Sequence, residues 1–127
     1  MNIINELKEG RALIADPLNW TTGTRARNSK GTSVSPFSPE AVCWCSTGAI
    51  EKVTVKEGKN LDAYHEARDA LRNEIWLPVW AFNDKCTHAQ VLELWDTVIE
   101  KREQMLKNTF MYKVKALFSR LRFGVNW

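Results

Sequence analysis

Apolar residues recur at helical spacing along this 127-residue chain, and that periodicity limits its fold more than any other feature. The clearest stripes are Leu61, Tyr64, Ala67, Leu71 and Ile75 in one segment, and Val91, Leu94, Trp95, Val98 and Ile99 in another. Positions three and four apart share one side of an α-helix, so each stripe predicts an amphipathic helix with a buried face. The spacing therefore predicts an all-α or mostly α fold.

The first 37 residues predict one helix followed by a long irregular segment. The N-terminal stripe is Ile3, Ile4, Leu7, Arg11 and Ile14. This helix should end at Asp16, because Pro17 disfavours helical conformation at the residue before it. Residues 16–37 are then rich in Thr, Ser, Asn and Gly, which predicts an irregular loop or a short irregular hairpin around a turn at Asn28–Gly31. Long irregular segments of this kind are often functional.

A second helix is predicted to begin at Ser38. Its hydroxyl suits the cap, and Pro39 suits the first helical position. The helix would run to about Val53 and bury one stripe, made of Val42, Cys45, Ala49 and Val53.

The segment between the two clearest stripes predicts a connection rather than a helix. Pro78 ends the preceding helix, and the apolar run 75–82, which holds Trp76 and Trp80, reads as a buried connection. Thr87 and Gln90 then form a capping-box pattern at the start of the last helix. That helix either continues through residues 108–109 or breaks there.

These elements predict a compact four-helix domain over residues 1–103 and a basic helical extension over residues 104–127. The two parts differ in charge. Thirteen basic and 15 acidic residues precede position 104, whereas five basic residues and no acidic residue follow it. The extension is apolar on one side, and we expect that side to pack on the domain. Its basic side suits an acidic protein surface, an anionic membrane or phosphates.

Composition excludes several protein classes. The chain is 44% hydrophobic and 26% charged, which argues against a disordered or collagen-like protein. It contains no apolar run long enough to span a bilayer, and its N-terminus does not resemble a signal peptide. Three cysteines, an odd number, indicate free thiols in a reducing compartment. We therefore expect a cytoplasmic protein.

One set of residues permits a thiol hydrolase. Cys45 lies near a predicted helix start, where the helix dipole lowers a thiol pKa, and His88 begins another helix. Asn83 or Asp84 would orient the imidazole. Against this, Cys45 falls on a stripe expected to be buried, and buried thiols are usually inert. A packed thiol and a structural imidazole are therefore the favoured interpretation.

A metal site and a nucleic-acid site are both disfavoured. Cys43 and Cys45 would point to opposite sides of a helix, so we expect neither a metal nor a cofactor. The tryptophans are not interleaved with basic residues and are expected to be core and loop anchors, so direct nucleic-acid binding is not favoured. Arg25 and Arg27 lie in the irregular loop with Lys30, and they are candidate binding residues.

Three segments together resemble a family of small bacterial and phage proteins of unknown function. They are Leu13-Ile14 with Asn19-Trp20, the run from Ala41 to Ile50, and Asn83-Asp84 with the run from Thr87 to Leu92. The resemblance covers about residues 1–103 and supplies no activity. It implies a phage origin and points to Trp44, Cys45, Gly48, Asn83, Asp84 and His88 as residues of interest.

We interpret the chain as a small non-enzymatic interaction protein, phage-encoded and active in the host cytoplasm. Its partner would be a host protein or a protein–nucleic acid complex with an acidic surface, and one concrete form is an inhibitor of host defence such as an anti-CRISPR. The candidate binding residues are Arg25, Arg27, Lys113, Lys115, Arg120 and Arg122. The alternative is the thiol hydrolase, with Cys45, His88 and Asp84. The sequence leaves the oligomeric state open.

Overall fold

The computed structural model describes residues 2–55 and 61–121, with side chains through Arg120. Helices account for most of this described part, as the periodicity predicts. They are α1 (Ile4–Leu13), α2 (Ser46–Thr54), α3 (Leu61–Arg72), α4 (Val79–Lys85) and α5 (His88–Leu121). Two short strands, β1 (Ala26–Arg27) and β2 (Cys43–Trp44), form an antiparallel ribbon. The mostly α fold class is therefore confirmed.

The N-terminal segment follows the sequence-based prediction. Helix α1 ends at Leu13, and Pro17 begins a short 3-10 turn, Pro17–Asn19. Asp16 caps this turn, because its carboxylate accepts a hydrogen bond from the Leu18 amide at 2.9 Å. The turn predicted at Asn28 also forms, with Asn28 Oδ1 accepting from the amides of Lys30 and Thr32.

The predicted start of the second helix is wrong. Helix α2 begins at Ser46, and the residues before it are extended because they pair with the loop strand. The Val42 amide donates to the Arg27 carbonyl at 2.9 Å, and the Cys45 amide donates to the Arg25 carbonyl at 3.1 Å. Cys45 is the cap of α2, and Val42, expected in the core, is 43% exposed.

The core lies where α1, α2, α3 and α5 meet. Trp95 of α5 is fully buried against α1, where a Cβ on Gly10 would come within 2.7 Å of its ring. The buried residues of the predicted stripes include Cys45, Ala49, Leu71, Leu94, Trp95 and Val98. Ile75 is only half-buried, because α3 ends at Arg72 and Ile75 lies in the turn that follows.

The apolar run 75–82 is not a buried connection, and this prediction is wrong. It is a turn followed by helix α4, whose cap is Pro78. This helix directs Val79 and Asn83, four residues apart, towards the core. Trp80 therefore faces outwards and is 61% exposed, and Trp76, in the turn, is 96% exposed.

Helix α5 is the longest element and extends beyond the core. The predicted capping box forms at its start, where the Gln90 amide donates to Thr87 Oγ1 and the Thr87 amide donates to Gln90 Oε1. The helix continues through residues 108–109 without a break. At 1.5 Å per residue its 34 residues span roughly 50 Å, about three times the length of α1 or α3. Side chains 104–120 are exposed except for half-buried Val114 and Ala116.

Candidate functional site

A buried polar cluster centred on Asn83 connects the loop, α2, α4 and α5. Asn83 is fully buried, and its Oδ1 accepts from Trp20 Nε1 at 2.8 Å and from the amide and hydroxyl of Ser46, both at 2.9 Å. Its Nδ2 donates to the Thr21 carbonyl at 3.0 Å. The Ser46 hydroxyl in turn accepts from Trp95 Nε1 at 3.2 Å. The cluster thereby fixes the loop against the helical core.

Cys45 lies beside this cluster but in a different bonding environment. Its sulfur accepts a hydrogen bond from the Gly48 amide at 3.3 Å, and the side chain is buried. Burial raises the pKa of the thiol, and hydrogen bonds from the Gly48 and Thr47 amides lower it. The effect of burial is larger, so the pKa lies above its ordinary value. Cys45 is therefore a protonated thiol at neutral pH, a weak nucleophile.

His88 bonds to the backbone of the segment after α1. Its Nε2 lies 2.7 Å from the Ile14 carbonyl oxygen, and its ring lies 5.2 Å from the Trp20 ring. A carbonyl oxygen only accepts, so Nε2 carries the hydrogen and cannot take a proton from a thiol. Asp84 Oδ1 accepts from the Gly23 amide at 3.0 Å. The hydrogen bonds of Cys45, His88 and Asp84 therefore do not join these three side chains.

Within residues 2–55 and 61–121, no group of three or more His, Cys, Asp or Glu side chains is arranged to hold a metal ion. Cys43 lies in β2 and Cys45 caps α2, so the two cysteines do not share the helix from which the sequence argument against a metal site was drawn. The Cys43 thiol lies 3.9 Å from the Arg27 carbonyl oxygen.

The two loop arginines have different surroundings. Arg27 is held inside the loop, where its guanidinium donates to Thr21 Oγ1 and to the carbonyls of Thr22 and Gly31. Arg25 is more exposed and forms a two-oxygen ion pair with Glu51, at 3.0 and 2.9 Å. Arg27 is therefore committed to loop structure, whereas Arg25 lies on the surface.

Two surface clefts meet at Trp80. One, of about 280 Å³, is lined by Gly23, Thr24, Arg25, Cys45, Thr47, Trp80 and Asp84. The other, of about 410 Å³, is lined by Thr47, Tyr64, Arg68, Asp69, Arg72, Pro78, Val79 and Trp80. Each cleft carries basic and acidic side chains together, so neither presents a single sign of charge.

The C-terminal half of α5 presents a surface of a single sign. From here on, the extension means residues 104–121, the part of the predicted 104–127 segment that the structure describes. Lys113 and Arg120 are exposed there, together with Lys107 and Lys115, and the segment contains no acidic residue. Its exposed apolar side chains are Met105, Leu106, Phe110, Met111, Leu117 and Phe118, with Tyr112. Arg122, also predicted to bind, lies outside the described residues.

Sequence reasoning missed two features of this surface and core. Asn83 was assigned only an orienting role, although its spacing of four from Val79 could have placed it on the inward side of a short helix. Trp80 was expected to be an anchor in the core or loop, and its outward direction depends on the start of α4 at Val79.

No helix in the described part of the chain is both long and apolar enough to cross a membrane. Comparison with curated proteins and with solved structures finds no match. A family model described as a family of unknown function, DUF6197, matches residues 2–101, which include the polar cluster and exclude the extension after that point. The match covers most of the chain, and the protein therefore belongs to the DUF6197 family.

Proposed function

We propose that this protein is a small non-enzymatic binding protein whose extension contacts an acidic surface of a partner macromolecule. One observation carries the proposal: α5 continues past the core for more than four turns with apolar and basic side chains exposed together. Soluble proteins rarely expose large contiguous apolar patches, and those with polar rims mark interaction sites. The basic side chains select an acidic partner and steer its approach.

The alternative, a thiol hydrolase, has less support. A hydrolase needs a thiolate and a base within hydrogen-bond reach of it. The Cys45 thiol is bonded to Gly48 and has a raised pKa, and His88 donates to a backbone carbonyl. These contacts favour structural roles for both side chains.

The more specific form of the proposal is a phage-encoded protein that occupies a host protein or protein–nucleic acid complex in the cytoplasm. Inhibition of a defence system, as by an anti-CRISPR, is one such activity. The support for this form is a helix with exposed apolar and basic side chains, and no assembled catalytic set among the described side chains. This form of the proposal requires a host partner whose binding is lost when residues of the extension are replaced.

A charge-matched pair of variants tests the proposal. Lys113→Gln with Arg120→Gln removes two exposed positive charges from the extension, and Lys30→Gln with Lys85→Gln removes two from the body. Each chain is immobilised and used to capture partners from host lysate, and the salt dependence of binding is measured for each captured protein. We expect a partner that binds the unchanged chain and the body variant but binds the extension variant more weakly and with less salt dependence. Equal capture by both variants would contradict a role for the extension.

A further inference from the structure

Helix α1 lies along one side of α5 and runs antiparallel to it. Two ion pairs establish this arrangement: Arg11 with Asp96, at 2.6 Å, and Lys8 with Glu103, at 3.5 Å. Lys8 precedes Arg11 by three residues in α1, whereas its partner Glu103 follows Asp96 by seven residues in α5, so the two chains run in opposite directions. The side of α5 that carries Asp96 and Glu103 therefore borders α1.

This same side becomes apolar beyond the end of α1. Every seventh residue of an α-helix returns to within about 20° of the same direction. The row that contains Asp96 and Glu103 thus continues as Phe110 and Leu117, which are 64% and 53% exposed. With Val114 they repeat at intervals of four and three residues, the spacing with which one helix packs against another. We call Phe110, Val114 and Leu117 the seam.

The seam continues only one edge of the face that α5 turns to the core, because Leu117 lies five turns beyond buried Ile99. The row that begins at buried Trp95 continues as Arg102, Thr109 and Ala116, which are polar or small. The apolar side of the extension therefore lies near the edge of the core face that borders α1. Its side chains are exposed because α5 extends beyond the elements that cover its first half.

Basic side chains border the seam on both edges. Lys113 and Arg120 follow Phe110 and Leu117 by three positions and lie at one edge. Lys107 precedes Phe110 by three positions and lies at the other. The extension has no acidic residue to balance them. In helix pairs, charges at such flanking positions set the choice of partner.

We propose that the seam binds an acidic amphipathic α-helix of the partner, which packs on α5 end to end with α1. This inference rests on the proposed function and names the partner's chemistry at the same surface. A second copy of the extension would place basic edges opposite basic edges, which is destabilising. A flat anionic membrane fits poorly, because α1, about 10 Å in diameter, stands on the same side of α5.

Designed peptides of about 15 residues, or four turns, provide the probe. One has a Leu and Ile seam flanked by Glu, and its control has the same seam flanked by Lys. Binding to the full chain is measured by fluorescence anisotropy at low and high salt. We expect the Glu peptide to bind at least about tenfold more tightly than the Lys peptide, with the difference shrinking as salt increases.

Variants of the seam and of the opposite side of the helix distinguish this contact from nonspecific hydrophobic binding. Phe110→Ala with Leu117→Ala should weaken binding of the Glu peptide at least about tenfold, because aromatic and aliphatic anchors carry most of the energy of a helix contact. Tyr112→Ala removes an exposed aromatic side chain from the other side and should change binding less than about twofold. Circular dichroism verifies that each variant keeps its helix content.

The alternative occupants give distinct results. Binding to phosphatidylserine-containing vesicles without binding to the Glu peptide would overturn this inference but leave a binding role for the extension. Self-association in sedimentation equilibrium that is lost in the seam variant would also overturn it. No binding to either probe, together with unchanged partner capture by the extension variant of the preceding section, would refute both the inference and the proposed function.

Discussion

Replacing Asn83 with leucine tests whether the buried polar cluster holds the loop on the helical core. Leucine has the same branched shape, so Asn83→Leu replaces the amide oxygen and nitrogen with methyl groups. The amide and hydroxyl of Ser46 would then lose their shared acceptor in a residue that is 1% exposed. Trp20 Nε1 and the Thr21 carbonyl would also lose a partner, but both residues are only half-buried and can reach water.

The expected loss in free energy of unfolding follows from the polar groups that are left without hydrogen-bond partners. A buried donor without a partner costs about 1–3 kcal/mol, so the two donors of Ser46 give about 2–6 kcal/mol, with smaller additions from Trp20 and Thr21. The total is a large part of the roughly 5–15 kcal/mol by which a domain is stable. We therefore expect Asn83→Leu to lower the free energy of unfolding by about 3–6 kcal/mol, or to prevent folding.

Urea denaturation followed by circular dichroism measures this free energy by linear extrapolation. Asn73→Leu makes the same chemical change at an exposed position and should alter stability by no more than about 0.5 kcal/mol. A loss below about 1 kcal/mol for Asn83→Leu would refute the reasoning, because it would mean that the Ser46 donors find other acceptors at almost no cost.

Three further experiments test the core and the thiol. Gly48→Ala should destabilise the fold by about 1–3 kcal/mol in the same assay, because the added Cβ would overlap the Arg25 carbonyl, and an unchanged stability would show that the β-ribbon can move away. Leu94→Ala should cost about 2–5 kcal/mol, and a loss under about 1 kcal/mol would place this side chain outside the core. Iodoacetamide should label Cys45 slowly in the folded protein, with a rate that rises only above the ordinary pH range of thiol ionisation, because burial raises its pKa. Fast labelling at neutral pH that His88→Ala abolishes would instead support a reactive thiol.

Periodicity and capping predicted the helices well where the signal lies within one or two turns. The stripes around Leu71 and Trp95 and the Thr87 capping box are contained in short stretches of sequence, and the structure has helices at all three. The misplaced start of α2 shows the limit of such signals. Ser38 and Pro39 are compatible with a helix start, but residues 42–45 gain more by bonding to the loop.

The candidate site was less predictable, because it depends on distant contacts. Cys45 and His88 were considered together from their residue types, and the structure gives each a different backbone partner. Asn83 bonds to Trp20 and Ser46, which are 63 and 37 positions away along the chain. Nothing in the local sequence specifies such pairs.

The sequence alone therefore determined the helical class, the turn at Asn28 and the charge contrast between body and extension, because periodicity, turn chemistry and composition act over a few residues or need no geometry at all. The tertiary structure decided which faces are covered. It paired β1 with β2, buried Asn83, turned Trp80 outwards and placed the N-terminal end of α1 near Leu106 and Thr109, so that Phe110 and Leu117 lie beyond it. Burial depends on which elements meet, and a chain's local pattern does not record where a neighbouring helix stops.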